Sequence, residues 1–102
     1  GTLVPWEKAE CHILSHSLHM AGAVFEGMRA YDKHIFLCQA HIERLARSAD
    51  LVGYRLPWTT TELTRATEAV IWANGLNDCY IRPVAWRKVF RWPPPPPTFM
   101  LR

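Results

Sequence analysis

Apolar and polar residues alternate loosely along residues 23–31, AVFEGMRAY, and a polar turn follows at residues 32–34. An apolar run at residues 35–38 comes next, so the two stretches together predict a β-hairpin. Gly27 interrupts the first strand, which indicates a bulge or a close backbone approach.

Two later stretches have apolar residues at helical spacing. The first covers residues 39–52 and ends at the stop signal Gly53. The second follows Pro57, which interrupts the helical pattern. It begins with a Thr59–Glu62 capping box and ends at residues 74–75, Asn-Gly. The predicted buried stripes are Ile42, Leu45, Ala46, Ala49 and Val52 in the first helix, and Leu63, Ala66, Val70 and Ala73 in the second.

Residues 79–89 are rich in aromatic and β-branched side chains and predict a further strand, which Pro83 restricts to an edge or bulged position. The pattern predicts an α+β fold, an antiparallel sheet with two helices packed on it. Residues 1–87 form this domain, with a start that we expect to be trimmed. Residues 88–102 form a divergent tail whose WPPPPP run is typical of polyproline II, and we expect the tail to be disordered or frame-shifted.

The composition narrows the function classes. The net charge of +3 comes from scattered Arg and Lys residues, without the clustered stripe of a nucleic-acid interface. No apolar run approaches the ~18 residues of a membrane span, and the first residues lack the basic and apolar regions of a leader, so we expect no signal peptide. Three widely spaced cysteines without a CxxC pair indicate reduced thiols and a cytoplasmic location.

Four segments carry a family resemblance: FEGMRAY at residues 25–31, HIERLARSA at 41–49, ANGL at 73–76 and YIRP at 80–83. Their order and spacing are similar to those of the amino-terminal small domain of the branched-chain amino acid aminotransferases, which are fold-type IV enzymes dependent on pyridoxal 5'-phosphate (PLP). The resemblance covers about residues 3–87. It implies transfer of an amino group between Leu, Ile, Val or glutamate and 2-oxo acids.

The resemblance also implies roles for individual residues. Arg44 matches the arginine that binds the PLP phosphate, a role that suits a guanidinium fork on a helix. Phe25 and Gly27 match residues of the substrate side-chain pocket. The residues alone would instead predict that Arg44 is an exposed helix arginine and that Phe25 and Gly27 belong to the strand core.

Three further positions match substrate-binding positions of the family. Arg29 and Arg82 match two arginines near the pocket, and the arginine at position 82 is associated with the side-chain carboxylate of glutamate. The alternative for each is a solvated charge. Met20 stands where many members carry a tyrosine, so one polar group that selects the substrate is missing.

Transamination requires a lysine that forms a Schiff base with PLP. The family carries it in a large carboxy-terminal domain, which this sequence does not include, so we expect the chain alone to be inactive. The lysines present are Lys8, Lys33 and Lys88, and none lies in an apolar setting that would lower its pKa. The family works as a homodimer, and the small domain alone is expected to expose an apolar face.

Other interpretations remain open at this stage. Cys11, His12, His16 and His19 lie close together and could bind zinc, although they lack a complete second ligand pair. The chain could be a non-catalytic interaction module derived from this domain. It could also be related to the D-amino acid aminotransferases or the aminodeoxychorismate lyases, which share the fold.

Overall fold

The computed structural model describes residues 1–88. The predicted tail therefore lies outside the described residues, apart from Lys88. After a short 3-10 turn at Trp6–Lys8, the helices are α1 (His16–Met20), α2 (Cys38–Leu51) and α3 (Thr60–Ala73). The strands are β1 (Val24–Phe25), β2 (Met28–Tyr31), β3 (His34–Ile35), β4 (Cys79–Ile81) and β5 (Val84–Ala85).

The strands form two small antiparallel sheets, one with the order β3-β2-β4 and the other made of β1 and β5. In the larger sheet Arg29 is the direct partner of Tyr80, and in the smaller sheet Phe25 is the partner of Val84. The prediction of an α+β domain with antiparallel strands and two long helices is confirmed.

Pro83 explains why residues 79–88 contain two strands, β4 and β5, instead of the single strand predicted over residues 79–89. Proline has no backbone N–H to donate, so strand pairing is interrupted there and the chain continues as two strands with different partners. The facing chain is interrupted at the same level, between β1 and β2. One hydrogen bond joins the two interruptions, from the Glu26 N–H to the Pro83 carbonyl oxygen at 3.0 Å.

The predicted hairpin is present as β2 and β3, but the second strand is shorter than expected. It ends at Ile35, because Leu37 adopts a left-handed backbone conformation and Cys38 already begins α2. The capping box is confirmed at α3, where the Glu62 N–H donates to Thr59 Oγ1 at 3.2 Å and the Thr59 N–H donates to Glu62 Oε2 at 2.7 Å.

The core lies between the inner sheet surface and the two long helices. On α2 the buried residues are Ile42, Leu45 and Ala49, all within the predicted stripe. The prediction for α3 is wrong except at Leu63, because the other buried residue is Ile71 and the half-buried Thr67 lies between them. The Thr67 hydroxyl donates to the Leu63 carbonyl oxygen at 2.8 Å, so a polar residue can occupy the inner face.

The outer flank of α3 borders a groove of about 530 Å³. Ala66 and Val70, which were predicted to be buried, line this groove together with the start of the chain and strands β4 and β5. Within residues 1–88, no helix has the length and apolar character needed to cross a membrane.

Helix α2 allows a matched test of this core. Leu45 is 1% exposed and Leu51, on the same helix, is 87% exposed. We expect Leu45→Ala to lower the free energy of unfolding by about 2–5 kcal/mol because it leaves a cavity. Leu51→Ala should change it by less than about 0.5 kcal/mol. Urea denaturation followed by circular dichroism measures both, and equal losses would contradict the inward face assigned to α2.

Candidate functional site

The segment from β1 to β2 divides its side chains between two faces. Glu26, Met28 and Ala30 are buried on the side of the helices, whereas the residues between them are exposed. This division follows from the two-residue period of extended chain. We call the exposed side the open sheet face and define it by Phe25, Gly27, Arg29, Tyr31, Tyr80 and Arg82.

Arg82 makes the most contacts on the open sheet face. Its guanidinium carbon lies 4.5 Å from the ring centroid of Phe25 and 5.5 Å from that of Tyr80. Its Nε–H donates to the Tyr80 hydroxyl at 3.1 Å. Both rings are within cation–π range, about 6 Å. The Arg82 side chain therefore packs against the Phe25 and Tyr80 rings while it remains exposed to solvent.

Gly27 lies beneath the Tyr80 hydroxyl, so a side chain, and not the backbone approach predicted as one alternative, comes close at this position. A Cβ atom added at Gly27 would lie 3.0 Å from that oxygen. A side chain at this position would require the Tyr80 hydroxyl, whose oxygen accepts from Arg82, to move slightly. Phe25, Gly27 and Arg82 are therefore brought together around Tyr80.

The other two predicted substrate residues are less closely joined to this group. Arg29 is opposite Tyr80 across the strands, and its guanidinium carbon lies 5.7 Å from the Tyr31 ring centroid. Met20 is the exposed last residue of α1. Within residues 1–88, no hydrogen bond or ring contact joins Met20 to the open sheet face.

On the opposite side of the same segment, Glu26 is bound by two residues of α2. Arg44 Nε–H donates to Oε1 at 2.7 Å and Arg44 Nη2–H donates to Oε2 at 2.6 Å. His41 Nδ1 lies 2.8 Å from the same Oε2. Glu26 is only 5% exposed, so these partners replace the water that a carboxylate would otherwise bind.

The charge on Glu26 fixes the direction of these bonds. Hydrogen bonding to Arg44 is the main cause that lowers the pKa of Glu26 from 4.5 to about 2, against the opposing effect of burial, and His41 lowers it further. Glu26 is therefore a carboxylate at neutral pH and only accepts, so His41 Nδ1 carries the hydrogen. The same pairing raises the pKa of Arg44.

Arg44 remains available to a second anion. Its side chain is 59% exposed, and Glu26 uses only the Nε–H and one Nη2–H of its five donors. The outer edge, formed by Nη1 and the remaining Nη2–H, suits a phosphate dianion. The residue thus fits the predicted role of binding the phosphate group of a cofactor.

Three residues considered as zinc ligands, Cys11, His12 and His19, make other side-chain contacts, and the His16 N–H donates to the Lys88 carbonyl oxygen at 2.6 Å. His12 Nδ1 accepts from the Leu14 N–H at 3.0 Å, and His19 Nε2 lies 2.7 Å from the Ile13 carbonyl oxygen. The Cys11 thiol lies 2.9 Å from the Ser15 hydroxyl. Across the described residues 1–88, no group of three or more His, Cys, Asp or Glu side chains is placed to hold a metal ion.

Sequence reasoning missed Tyr80, Glu26 and His41 as parts of the site. A signal for Tyr80 was present, because a residue two positions before Arg82 in a strand shares its face. His41 is three positions before Arg44, which places both on one side of a helix. Their meeting with Glu26 joins residues 15 and 18 positions apart, and no local spacing indicates that contact.

Comparison with known proteins supports a single family. Residues 23–101 match the family described as amino-transferase class IV. A probable branched-chain-amino-acid aminotransferase of Rickettsia felis is 46% identical over 86 residues, which cover 84% of this chain and 30% of the relative. The branched-chain-amino-acid aminotransferase of Pseudomonas aeruginosa is 42% identical over 90 residues, with 84% and 29% covered.

Solved structures give the same picture. The Escherichia coli branched-chain amino acid aminotransferase is 39% identical, with a TM-score of 0.80 over 84% of this chain and 30% of that chain. The T.th. branched-chain amino acid aminotransferase in complex with N-(5'-phosphopyridoxyl)-L-glutamate is 36% identical, with a TM-score of 0.87 over 97% and 36%. The chain thus spans about three-tenths of the length of the curated relatives it matches.

The Glu26 cluster predicts how stability depends on pH. The pKa of Glu26 is lower in the folded chain than in the unfolded chain. Its contribution to the free energy of unfolding is therefore complete above about pH 4.5 and is lost as the pH falls towards about 2. We expect the free energy of unfolding, measured by urea denaturation from neutral pH downward, to fall through this window. Glu26→Gln should flatten the decline.

Glu43→Gln serves as the control for this titration. Glu43 lies on α2, the helix that carries His41 and Arg44, but its carboxylate accepts from Gln39 rather than from Arg44. The control should retain the wild-type slope. A slope that is the same in Glu26→Gln and in the wild type would show that the Glu26 cluster does not cause the decline.

Proposed function

Because this chain belongs to the class IV aminotransferases, we propose that it forms the small domain of a branched-chain amino acid aminotransferase. The complete enzyme would transfer the amino group between Leu, Ile, Val or glutamate and 2-oxo acids. The observation that carries this proposal is the Arg82 guanidinium lying 4.5 Å over the Phe25 ring and bonded to Tyr80. The names of the curated relatives support the branched-chain group within the family.

The open sheet face has the chemistry that such a substrate range needs. Phe25 is 56% exposed and offers an apolar surface to the side chains of Leu, Ile and Val. Arg82 and Arg29 place positive charge beside it, which a glutamate side-chain carboxylate can reach. Gly27 has no side chain and leaves room for the Tyr80 hydroxyl beside this surface. We assign substrate contact to these residues, and assign Met20 to the rim of the pocket.

For the cofactor, we propose pyridoxal 5'-phosphate, held at its phosphate by the outer edge of Arg44. Structural neighbours were solved with N-(5'-phosphopyridoxyl)-L-glutamate and with pyridoxamine 5'-phosphate. When bound, PLP supplies the electron sink that labilises the substrate Cα–H bond. Arg44 contributes binding and orientation only, because a guanidinium stays protonated and cannot relay a proton at neutral pH.

The lysine that attaches the cofactor is assigned to a second, larger domain. Lys8 and Lys33 are exposed, so neither amine is desolvated in the way that makes a lysine nucleophilic. Lys88 lies just after the strands of this domain. We therefore propose that the 102-residue chain alone does not transaminate. Mixed with PLP, leucine and a 2-oxo acid, it should release no measurable product.

Assembly is part of the same proposal. Large apolar side chains are exposed at the start of the chain, on the outer sides of the helices and on the open sheet face, among them Trp6, Leu51, Trp72 and Phe25. Such surfaces usually become covered by further protein. We propose that the larger domain and a second subunit of a cytoplasmic homodimer cover them.

A chimera tests the proposed substrate range. Residues 3–87 would replace the matching segment of the Escherichia coli branched-chain amino acid aminotransferase, and kcat/KM would be measured for leucine and for glutamate. We expect activity with both. Arg82→Met should reduce kcat/KM for glutamate about 100-fold, the scale of a lost charge-assisted hydrogen bond, and that for leucine less than about 5-fold.

The control is Arg65→Met, which removes an exposed arginine from α3. It should leave both ratios unchanged. A chimera that folds as a dimer with bound PLP but uses neither substrate would contradict the proposed function. Equal losses for both substrates in Arg82→Met would contradict only the role assigned to Arg82.

A further inference from the structure

The Glu26 carboxylate accepts three hydrogen bonds, all of them from residues of α2. Two come from Arg44 and one from His41, at 2.6–2.8 Å. An arginine side chain that is 59% exposed would ordinarily sample many rotamers, at an entropic cost whenever a ligand fixes it. Glu26 and His41 hold it in one geometry before any ligand is bound.

We propose that Glu26 is a positioning residue for phosphate recognition. Its carboxylate, which also accepts from His41, binds the Nε side of Arg44 and turns the outer edge of the guanidinium towards a phosphate dianion. The inference rests on the cofactor role proposed for Arg44 and adds to it a reason for the carboxylate beside it.

Charge alone argues in the opposite direction. A carboxylate 2.6 Å from the guanidinium reduces the positive potential that attracts a dianion. If attraction were all that mattered, removal of the Glu26 charge would strengthen phosphate binding. If positioning dominates, removal would weaken it, so the sign of the effect separates the two explanations.

The placement of Glu26 also links the two faces of the segment. Its neighbours Phe25 and Gly27 belong to the open sheet face, and its N–H donates to the Pro83 carbonyl oxygen at 3.0 Å. Arg44 is thereby fixed relative to the proposed pocket through one residue. A cofactor that is held at its phosphate by Arg44 would be aligned with the substrate surface on the other side.

The test uses the full 102-residue chain and inorganic phosphate, at a pH where phosphate is a dianion. The Arg44 Nε–H resonance in 15N NMR reports the hydrogen bond to Glu26, and its shift on titration gives the Kd for phosphate. Glu26→Gln should shift this resonance, speed its exchange with water and raise Kd about tenfold, the scale of ordering one long side chain. His41→Gln should raise Kd about threefold, because Glu26 keeps both of its bonds to Arg44 and only the bond from His41 to Glu26 is changed.

Three controls make the result decisive. Glu43→Gln removes a carboxylate from the same helix and should leave Kd the same or slightly lower. Arg44→Lys should weaken binding. When Glu26→Gln is added to Arg44→Lys, phosphate binding should not weaken further, because a lysine has no fork to orient. In these variants the backbone amide spectra report phosphate binding.

An unchanged or lower Kd in Glu26→Gln would overturn the positioning role while leaving the proposed function intact. If Glu26→Gln does not fold, His41→Gln decides, and an unchanged Kd in that variant would overturn the proposal. A phosphate affinity that does not depend on Arg44 would overturn the cofactor role of Arg44 and, with it, this inference.

Discussion

A carboxylate removed from water must be paired, and Glu26 imposes this requirement on the whole domain. Its partners lie three positions apart on α2, so the helix has to place that side against the segment between β1 and β2. The same contact fixes which way the segment faces. With Glu26 turned inward, Phe25 and Gly27 on either side of it must point outward.

The open sheet face follows from this orientation together with the break at Pro83. The interruption separates β4, which pairs with β2, from β5, which pairs with β1. Arg82 stands at the break, free of strand pairing, and can reach both Phe25 from one sheet and Tyr80 from the other. A continuous strand would have kept its guanidinium over one neighbour. The break is therefore part of how the proposed pocket obtains an arginine.

The chain after β5 joins the remaining parts. The His16 and Ser17 N–H groups donate to the Lys88 and Arg87 carbonyl oxygens at 2.6 and 3.3 Å, which anchors the start of α1. The Arg87 guanidinium donates to the carbonyl oxygen of Gly53, between the long helices, and lies over the Tyr54 ring. The Tyr54 hydroxyl donates to the Ala85 carbonyl oxygen at 2.9 Å. These bonds hold the segment that ends at Met20 close to the sheets.

Local patterns in the sequence determined the two long helices, the hairpin, the capping box and the family, because each depends on residues a few positions apart. The sequence also pointed to Arg44 and Arg82 through the family motifs. It could not show that the half-buried Thr67 lies between the two buried residues of α3, nor that Pro83 divides a strand between two sheets. The meeting of Glu26, His41 and Arg44, and the place of Tyr80 between Gly27 and Arg82, were decided only by the tertiary structure. Those contacts join strands and helices that are distant in sequence, and only the packing of the core brings them within bonding distance.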